Sequence, residues 1–148
     1  MQKGTWLLAI LGLIMVILIG ILIFVPAKKS SQQNPPAVTE TEGIQIIAPK
    51  LNEEISSPLK ITGVVNGNGW GGFEGQVGTV KLLDNNGNQL GIAILIATTD
   101  WMQSVINFET TLNFQSDISQ SGTLVFHNEN PSGDPARDKT FSLPIKIK

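Results

Sequence analysis

Cysteine is absent from this 148-residue chain, and histidine occurs once. Without cysteine the chain forms no disulfide, has no thiol nucleophile and carries no lipid on an N-terminal cysteine. The single histidine and the absence of a G-x-S-x-G sequence argue against a catalytic triad. Acid/base catalysis by carboxylates needs a pair fixed in a cleft, which small β domains seldom form. We therefore expect a protein that is not an enzyme and uses no cofactor.

Basic residues are also too few for a nucleic-acid-binding surface. Residues 43–148 contain seven basic and ten acidic residues, which gives a net charge of −3. A domain with this balance is repelled by phosphate backbones. The composition therefore predicts no nucleic-acid partner.

A long apolar run stands near the N-terminus. Residues 6–25 are 20 positions without a charge, the length that an α-helix needs to cross the hydrocarbon core of a bilayer. The run exceeds the apolar region of a secretory signal, Pro26 adjoins the possible cleavage site, and Lys28 and Lys29 follow directly. We expect residues 1–29 to form an uncleaved signal anchor, a single transmembrane helix, rather than a cleaved signal peptide.

Between this helix and the rest of the chain lies a polar segment. Residues 26–42 contain three prolines and one large apolar side chain, a valine. Such a segment buries too little apolar surface to offset its ordering entropy, so residues 30–42 are predicted to be a flexible linker. Because a β domain behind a signal-like start is usually exported, we expect residues 43–148 to lie outside the cytoplasm of a bacterial cell, tethered to its membrane.

Hydrophobicity alternates with period two after residue 43, which predicts strands rather than helices. Turn sequences separate the strands, such as DNNGN at residues 84–88, where Asn-Gly tolerates positive φ. Seven short strands in about 100 residues are typical of an antiparallel, immunoglobulin-like β-sandwich. The predicted strands span residues 44–48, 59–65, 77–83, 89–97, 105–114, 122–128 and 140–148.

Apolar residues on one face of each predicted strand should fill the space between the sheets. At about 1.5–3 kcal/mol for each fully buried large side chain, they suffice for a stable domain without disulfides. In the last strand, Pro144 lacks an N–H and suggests a sheet edge or a position whose N–H would face outward. The expected core residues are Ile46, Ile61, Val80, Leu82, Ile94, Phe108, Leu112, Leu124, Phe126, Phe141, Leu143 and Ile145.

Several motifs in this region, taken in order, resemble one known family. They are ISSPLKITG (55–63), FEG (73–75), LLD (82–84) with Gly87, TDWM (99–102), Phe108 and LPI (143–145). This series is similar to the immunoglobulin-like domain of bacterial spore germination proteins, also known as the second GerM-associated domain. The resemblance covers nearly all of residues 43–148. It implies an extracytoplasmic β-sandwich, often behind a signal peptide or membrane anchor, and it supplies no catalytic residues.

A glycine-rich segment, NGNGWGGFEGQVG at residues 66–78, contains the G-x-G-x-x-G spacing of dinucleotide-binding loops. That fingerprint needs a helix after the glycines, whereas here a strand follows, and no Gly-Lys-Ser/Thr sequence forms a P-loop. We therefore expect no nucleotide. The glycines either allow positive φ where the chain crosses between sheets, or leave the rings of Trp70 and Phe73 exposed to stack on a sugar or peptide.

A second candidate segment is TTDWMQ at residues 98–103. Asp100 is favoured in a turn because its carboxylate accepts a bond from the N–H two residues on. Trp101 either covers the rim of the core or joins Met102 in an exposed interaction surface. Neither DNNGN nor the acidic loop at residues 128–138 is expected to form a metal site. The first lacks the final calcium ligand, and Arg137 is available to pair with the acids of the second.

Together these observations predict a non-catalytic, membrane-tethered binding module for cell-wall glycan or an envelope protein. The alternative is a structural or assembly protein of the envelope that binds through a sheet edge, with the final strand as candidate. Glu74 is expected to cap local backbone groups or to add a polar contact. The candidate ligand-binding residues are Trp70, Phe73, Glu74, Asp100, Trp101 and Met102.

Overall fold

The computed structural model of the protein describes residues 39–41, 43–115 and 120–148, which form nine β-strands, one 3-10 helix and no α-helix. No helix in this part of the chain is long and apolar enough to cross a bilayer. The predicted anchor at residues 1–29 lies outside the described residues. The strands are β1 (Thr39–Thr41), β2 (Ile44–Ala48), β3 (Glu54–Ile55), β4 (Leu59–Val65), β5 (Gln76–Asp84), β6 (Gln89–Ala97), β7 (Ile106–Leu112), β8 (Gln120–Asn128) and β9 (Thr140–Ile147), and the 3-10 helix spans Pro135–Arg137.

All seven predicted strands are present, and two short strands were not foreseen. One of these, β1, lies inside residues 30–42, the segment predicted to be a linker. It pairs antiparallel with β2, with Thr39 opposite Ile46 and Thr41 opposite Ile44. Such pairing satisfies backbone N–H and C=O groups without an apolar side chain. A search for alternating hydrophobicity therefore misses it.

The strands follow the order β1-β2-β4-β7-β6-β5-β8-β9-β3. β6 and β7 are joined by two residue pairs only, Ile96–Glu109 and Ala97–Phe108. At this junction the sheet folds over, so β1-β2-β4-β7 form one layer and β6-β5-β8-β9-β3 form the other. All neighbours are antiparallel except β3 and β9. The all-β, immunoglobulin-like sandwich is confirmed.

Ten of the twelve predicted core residues are buried, and Phe141 packs partly buried against them. The prediction that Ile94 lies in the core is wrong, because its side chain is 46% exposed. In β6 the inward residue is Leu95, whereas Ile92, Ile94 and Ile96 lie on the outer face. Nearly every residue from 90 to 97 is apolar. The alternation that identifies the buried face is therefore missing from this strand.

β9 follows its predicted pattern, with Leu143, Ile145 and Ile147 buried. The carbonyl of Pro144 accepts a 2.8 Å bond from the N–H of Asn52, so the backbone of this residue faces away from β8. Pro144 therefore loses no hydrogen bond to β8 by lacking an N–H. This agrees with the second alternative for Pro144, a position whose N–H would face outward. Residues 52–55 run along β9, which means that this half of the final strand is not a free edge.

The hairpin between β5 and β6 forms as predicted. One carboxylate oxygen of Asp84 accepts 2.8 Å bonds from the N–H groups of Asn86 and Asn88, and the other accepts a 2.9 Å bond from the Asn88 side chain. The bond from the Asn88 side chain lowers the pKa of Asp84 below its ordinary value of 3.8, and the backbone donors act in the same direction. Gly87 supplies the positive φ, at 84°. The carboxylate thus serves the turn.

Candidate functional site

Three loops meet at one end of the sandwich. They connect β4 to β5 (residues 66–75), β6 to β7 (98–105) and β8 to β9 (129–139). Antiparallel pairing brings them together, because Gly78 near the start of β5 lies opposite both Leu95 on β6 and Asn128 on β8. We call this region the three-loop end. In antibody variable domains, loops clustered at one end of such a sandwich bind antigen.

The first half of the glycine-rich loop is a tight turn that directs Trp70 inward. Gly67 and Trp70 exchange both backbone hydrogen bonds, at 3.2 and 2.9 Å, around Asn68 (φ 52°) and Gly69 (φ 88°). Positive φ at both central residues is the signature of a type I′ turn, which Asn-Gly favours. The Trp70 side chain is 4% exposed and belongs to the core. The expectation of an exposed ring at this position is therefore wrong, and the ring is not free to stack on a ligand.

The second half of the loop is another turn of the same kind, and it leaves Phe73 on the surface. Phe73 and Gln76 exchange backbone bonds of 2.8 and 3.0 Å around Glu74 (φ 50°) and Gly75 (φ 84°). Phe73 is 41% exposed, and Glu74 is also exposed. The loop crosses from the β4 layer to the β5 layer and enters a strand. The glycines thus serve the chain crossing, while one of the two aromatic rings is presented to solvent.

The loop from β6 to β7 packs against this second turn. Asp100 accepts a 3.0 Å bond from the N–H of Met102, which confirms its predicted role in a turn. The Trp101 ring meets Phe73 edge to face, with centroids 6.4 Å apart and planes at 66°. Met102 is 73% exposed. Phe73 and Trp101 therefore form an aromatic pair, and we call this pair together with the neighbouring exposed Met102 the aromatic ridge.

Gly72 permits this contact between the two loops. A Cβ atom added to Gly72 would lie 2.6 Å from the carbonyl oxygen of Trp101 and 2.8 Å from its Cβ. Any larger residue would therefore push the loops apart. The contact between the two predicted aromatic segments therefore depends on Gly72. Nothing in the sequence distinguishes this glycine from its neighbours.

On the other side of the glycine-rich loop lies a cleft of about 530 Å³. Its second wall is the loop from β8 to β9. Phe73 belongs to both the cleft and the aromatic ridge, so the two features form one continuous surface. The lining residues are Gly69, Trp70, Gly71, Gly72, Phe73, Asn128, Glu129, Asn130, Pro131, Ser132, Ala136, Arg137 and Lys139.

Asn128, which was not among the predicted site residues, holds the two walls of the cleft together. Its side-chain amide donates to the carbonyls of Gly69 (2.7 Å) and Arg137 (3.0 Å), and its side-chain oxygen accepts from the N–H of Lys139 (2.8 Å). An asparagine at a strand end has the donors and acceptor for such a bridge. Its partner Gly69 is 59 residues away, however, so no local sequence signal identifies it.

The loop from β8 to β9 uses two of its three acidic side chains, Asp134 and Asp138, in internal contacts. Asp134 caps the 3-10 helix by accepting from the N–H of Ala136 at 3.0 Å, and it lies 3.9 Å from Arg137, as the predicted acid–arginine pairing required. Asp138 accepts a 2.6 Å bond from the Asn130 side chain. Among the described residues, no three side chains of metal-ligating type form a cluster. The cleft therefore presents amide, cationic and aromatic groups together with the carboxylate of Glu129.

Comparison with known proteins identifies the domain. The sequence profile of a family described as the immunoglobulin-like domain of bacterial spore germination matches residues 43–147. The chain belongs to this family. No curated protein and no solved structure matched the chain.

The motifs of this spore-germination immunoglobulin-like domain lie mainly in strands and turns of the scaffold. Ser57 accepts a 3.0 Å bond from the N–H of Phe114 just after β7, Asp84 holds the β5–β6 hairpin, and Pro144 accepts from Asn52. Only FEG and TDWM lie at the three-loop end. These two motifs contain five of the six predicted site residues. The sixth, Trp70, lies in the core of the domain.

Proposed function

We propose that this immunoglobulin-like domain is a non-catalytic binding module of the bacterial envelope and that its three-loop end binds cell-wall glycan. The main support for this proposal is the position of Phe73. Its ring is 41% exposed, is supported by Trp101, and stands at the border of a cleft lined by Asn130, Arg137 and Lys139. An aromatic face packs on the apolar face of a sugar ring, while polar side chains bond its hydroxyl groups. The arrangement suits a polymer that lies across the loops.

An envelope protein is the second candidate ligand. Among the described residues, Met102 is the most exposed large apolar residue, and it directly follows Trp101 in the aromatic ridge. Methionine and tryptophan are enriched in protein interfaces relative to the rest of the surface. A protein would use the ridge more than the cleft, which separates this candidate from the glycan.

The test of glycan binding is co-sedimentation of the full-length chain, in mild detergent, with isolated cell-wall sacculi. We expect saturable pelleting of the wild type, and a loss of roughly tenfold in affinity for Phe73→Ala and for Trp101→Ala, because an aromatic anchor contributes about 1–2 kcal/mol or more to an interface. The matched control is Ile47→Ala on β2, which removes an apolar side chain of similar exposure, 46%, away from the three loops. It should bind as the wild type does.

Circular dichroism should first show that all three variants are folded. Failure of the wild type to pellet would eliminate the glycan and direct the search to envelope proteins. Pelleting that Phe73→Ala and Trp101→Ala leave unchanged would place the glycan site elsewhere on the molecule.

We also propose that residues 1–29 anchor the chain in the membrane and that the domain lies outside the cytoplasm. The uncharged run of 20 residues and the polar segment after it support this topology. In wall-stripped intact cells, a protease added outside should remove a C-terminal tag. Complete protection of the tag until the cells are lysed would place the domain in the cytoplasm instead.

A further inference from the structure

The first part of β6 is an open sheet edge. On one side β6 pairs with β5 along most of its length, from Gln89 to Ile96 except at Leu90. On the other side β7 pairs with it only at Ile96 and Ala97. Among the described residues, positions 89–95 of β6 therefore have a ladder partner on one side only. This stretch presents unpaired backbone groups at the junction between the two layers.

The direction of the backbone groups shows which residues face this edge. The N–H of Ala97 donates to Gly75, on the β5 side, and the N–H of Thr98 donates to Asn107, on the β7 side. Backbone groups of successive residues in an antiparallel strand point to opposite sides. The N–H and C=O groups of Ile92 and Ile94 therefore lie along the open edge.

Space remains beside this edge. After β7 the chain passes under the inner face of β6, where a Cβ atom on Gly91 would lie 2.7 Å from the carbonyl oxygen of Asn113. A gap of about 480 Å³ opens there between Leu90 and residues 113–115. The chain after β7 thus crosses beneath β6 instead of continuing the ladder along it.

Apart from a bulge at Leu90, where Gly91 lies opposite Leu82 and Gln89 lies opposite Leu83, the edge lacks the features by which sheet proteins avoid edge-to-edge pairing. Residues 90–97 contain no charge and no proline, and Ile92, Ile94 and Ile96 are 52%, 46% and 47% exposed on the outer face. Natural edges are normally blunted by lysine, proline, bulges or very short strands. The other edge of the same layer, β3, is protected in this way. It has only two residues, and its Glu54 forms a 3.4 Å ion pair with Lys148. An apolar, unprotected edge indicates a surface that is covered by another chain.

We propose that the β6 edge pairs with the β6 edge of a second copy of this chain, antiparallel and about a two-fold axis. A two-fold interface requires a patch that is complementary to itself. The outer row of β6 meets this requirement, because isoleucines at alternate positions bring no like charges together. A neutral row also offers nothing by which a charged partner would be selected. The unpaired stretch is centred on Ile92, so the axis passes there, with Ile92 facing Ile92 of the second copy.

The absence of cysteine makes this geometry directly testable. In an antiparallel pair that shares both hydrogen bonds, the Cα atoms lie about 5.5 Å apart, within the range that a disulfide spans. We would purify the full-length Ile92→Cys variant in mild detergent and follow its oxidation on non-reducing gels. The matched control is Ile47→Cys, which replaces an isoleucine of similar exposure, 46% against 52% for Ile92, on the other layer.

Ile92→Cys should form a covalent dimer at least about tenfold faster than Ile47→Cys, because pairing raises the effective concentration of the two thiols. Adding Ile94→Lys to Ile92→Cys should abolish this advantage, since it places a lysine on the unprotected edge. Equal rates for the two single-cysteine variants, or a rate that Ile94→Lys does not change, would overturn the proposal.

A measurement without cysteine guards against a variant that does not fold. Sedimentation equilibrium should show weaker self-association for Ile94→Lys than for the wild type, and identical association would also overturn the proposal. Neither Ile92 nor Ile94 lines the cleft. The tests of dimerisation and of glycan binding therefore have independent outcomes, so the failure of one proposal leaves the other standing.

Discussion

Replacing Trp70 with alanine is expected to lower the free energy of unfolding by about 3–5 kcal/mol. The ring is 4% exposed and packs where the glycine-rich loop meets the start of β2: a Cβ atom on Gly43 would lie 2.7 Å from the Trp70 ring. Its removal leaves a cavity between elements that no disulfide holds together. Since domains of this size are stable by only about 5–15 kcal/mol, the loss is a large share of the total. Urea-induced unfolding, followed by far-ultraviolet circular dichroism, measures the change.

Trp101→Ala is the matched control, because it removes the same side chain from a partly exposed position. We expect it to cost less than about 1.5 kcal/mol, since much of its apolar surface is not removed from water on folding. Equal losses in the two variants would contradict the assignment of Trp70 to the core. The pair also separates the roles of the two tryptophans, because we expect Trp101→Ala to weaken glycan binding while the domain stays folded.

Gly78→Ala is expected to destabilise the domain by about 2–4 kcal/mol, with the loss measured as a lower urea midpoint. Gly78 has φ of +139°, which side chains rarely tolerate, and an added Cβ would collide with the carbonyl oxygen of His127 on β8. The collision is with backbone, so relief requires β5 and β8 to separate. This happens in the middle of the second layer, directly below the three-loop end.

Gly71→Ala serves as the control for this substitution. A Cβ atom on Gly71 would have no neighbour within 4 Å, and its φ is not positive. We expect a change within about 0.5 kcal/mol, the usual range for a surface position. Equal effects at the two glycines would show that close approach of β8 does not constrain Gly78.

Alternating hydrophobicity predicts the strands wherever one face is apolar and the other polar. β9 illustrates this, with Leu143, Ile145 and Ile147 buried as predicted. In β6 both faces are apolar, so the inward face was assigned incorrectly at Ile94. β1 and β3, with three and two residues, are too short to leave a periodic signal. Pattern-based prediction thus fails where backbone pairing or the outer surface, rather than the core, determines the residue type.

The candidate site was predictable in its parts and not in its assembly. Asn68-Gly69 signals a tight turn, but no local rule states that the turn aims Trp70 inward and leaves Phe73 outside. The contact between Phe73 and Trp101 joins two different loops. The bridge from Asn128 to Gly69 likewise joins residues that are distant in sequence. Such contacts arise only once the two layers have folded.

The consecutive turns of the glycine-rich loop separate the residues that fix its path from those that face outward. Backbone hydrogen bonds, positive φ angles and the buried ring of Trp70 determine the path. Gly71, Phe73 and Glu74 have exposed or unobstructed positions in this loop. Substitutions at these positions alter the chemistry of the surface without changing the core. Specificity for a ligand can therefore diverge among proteins that share these two turns while the sandwich beneath stays the same.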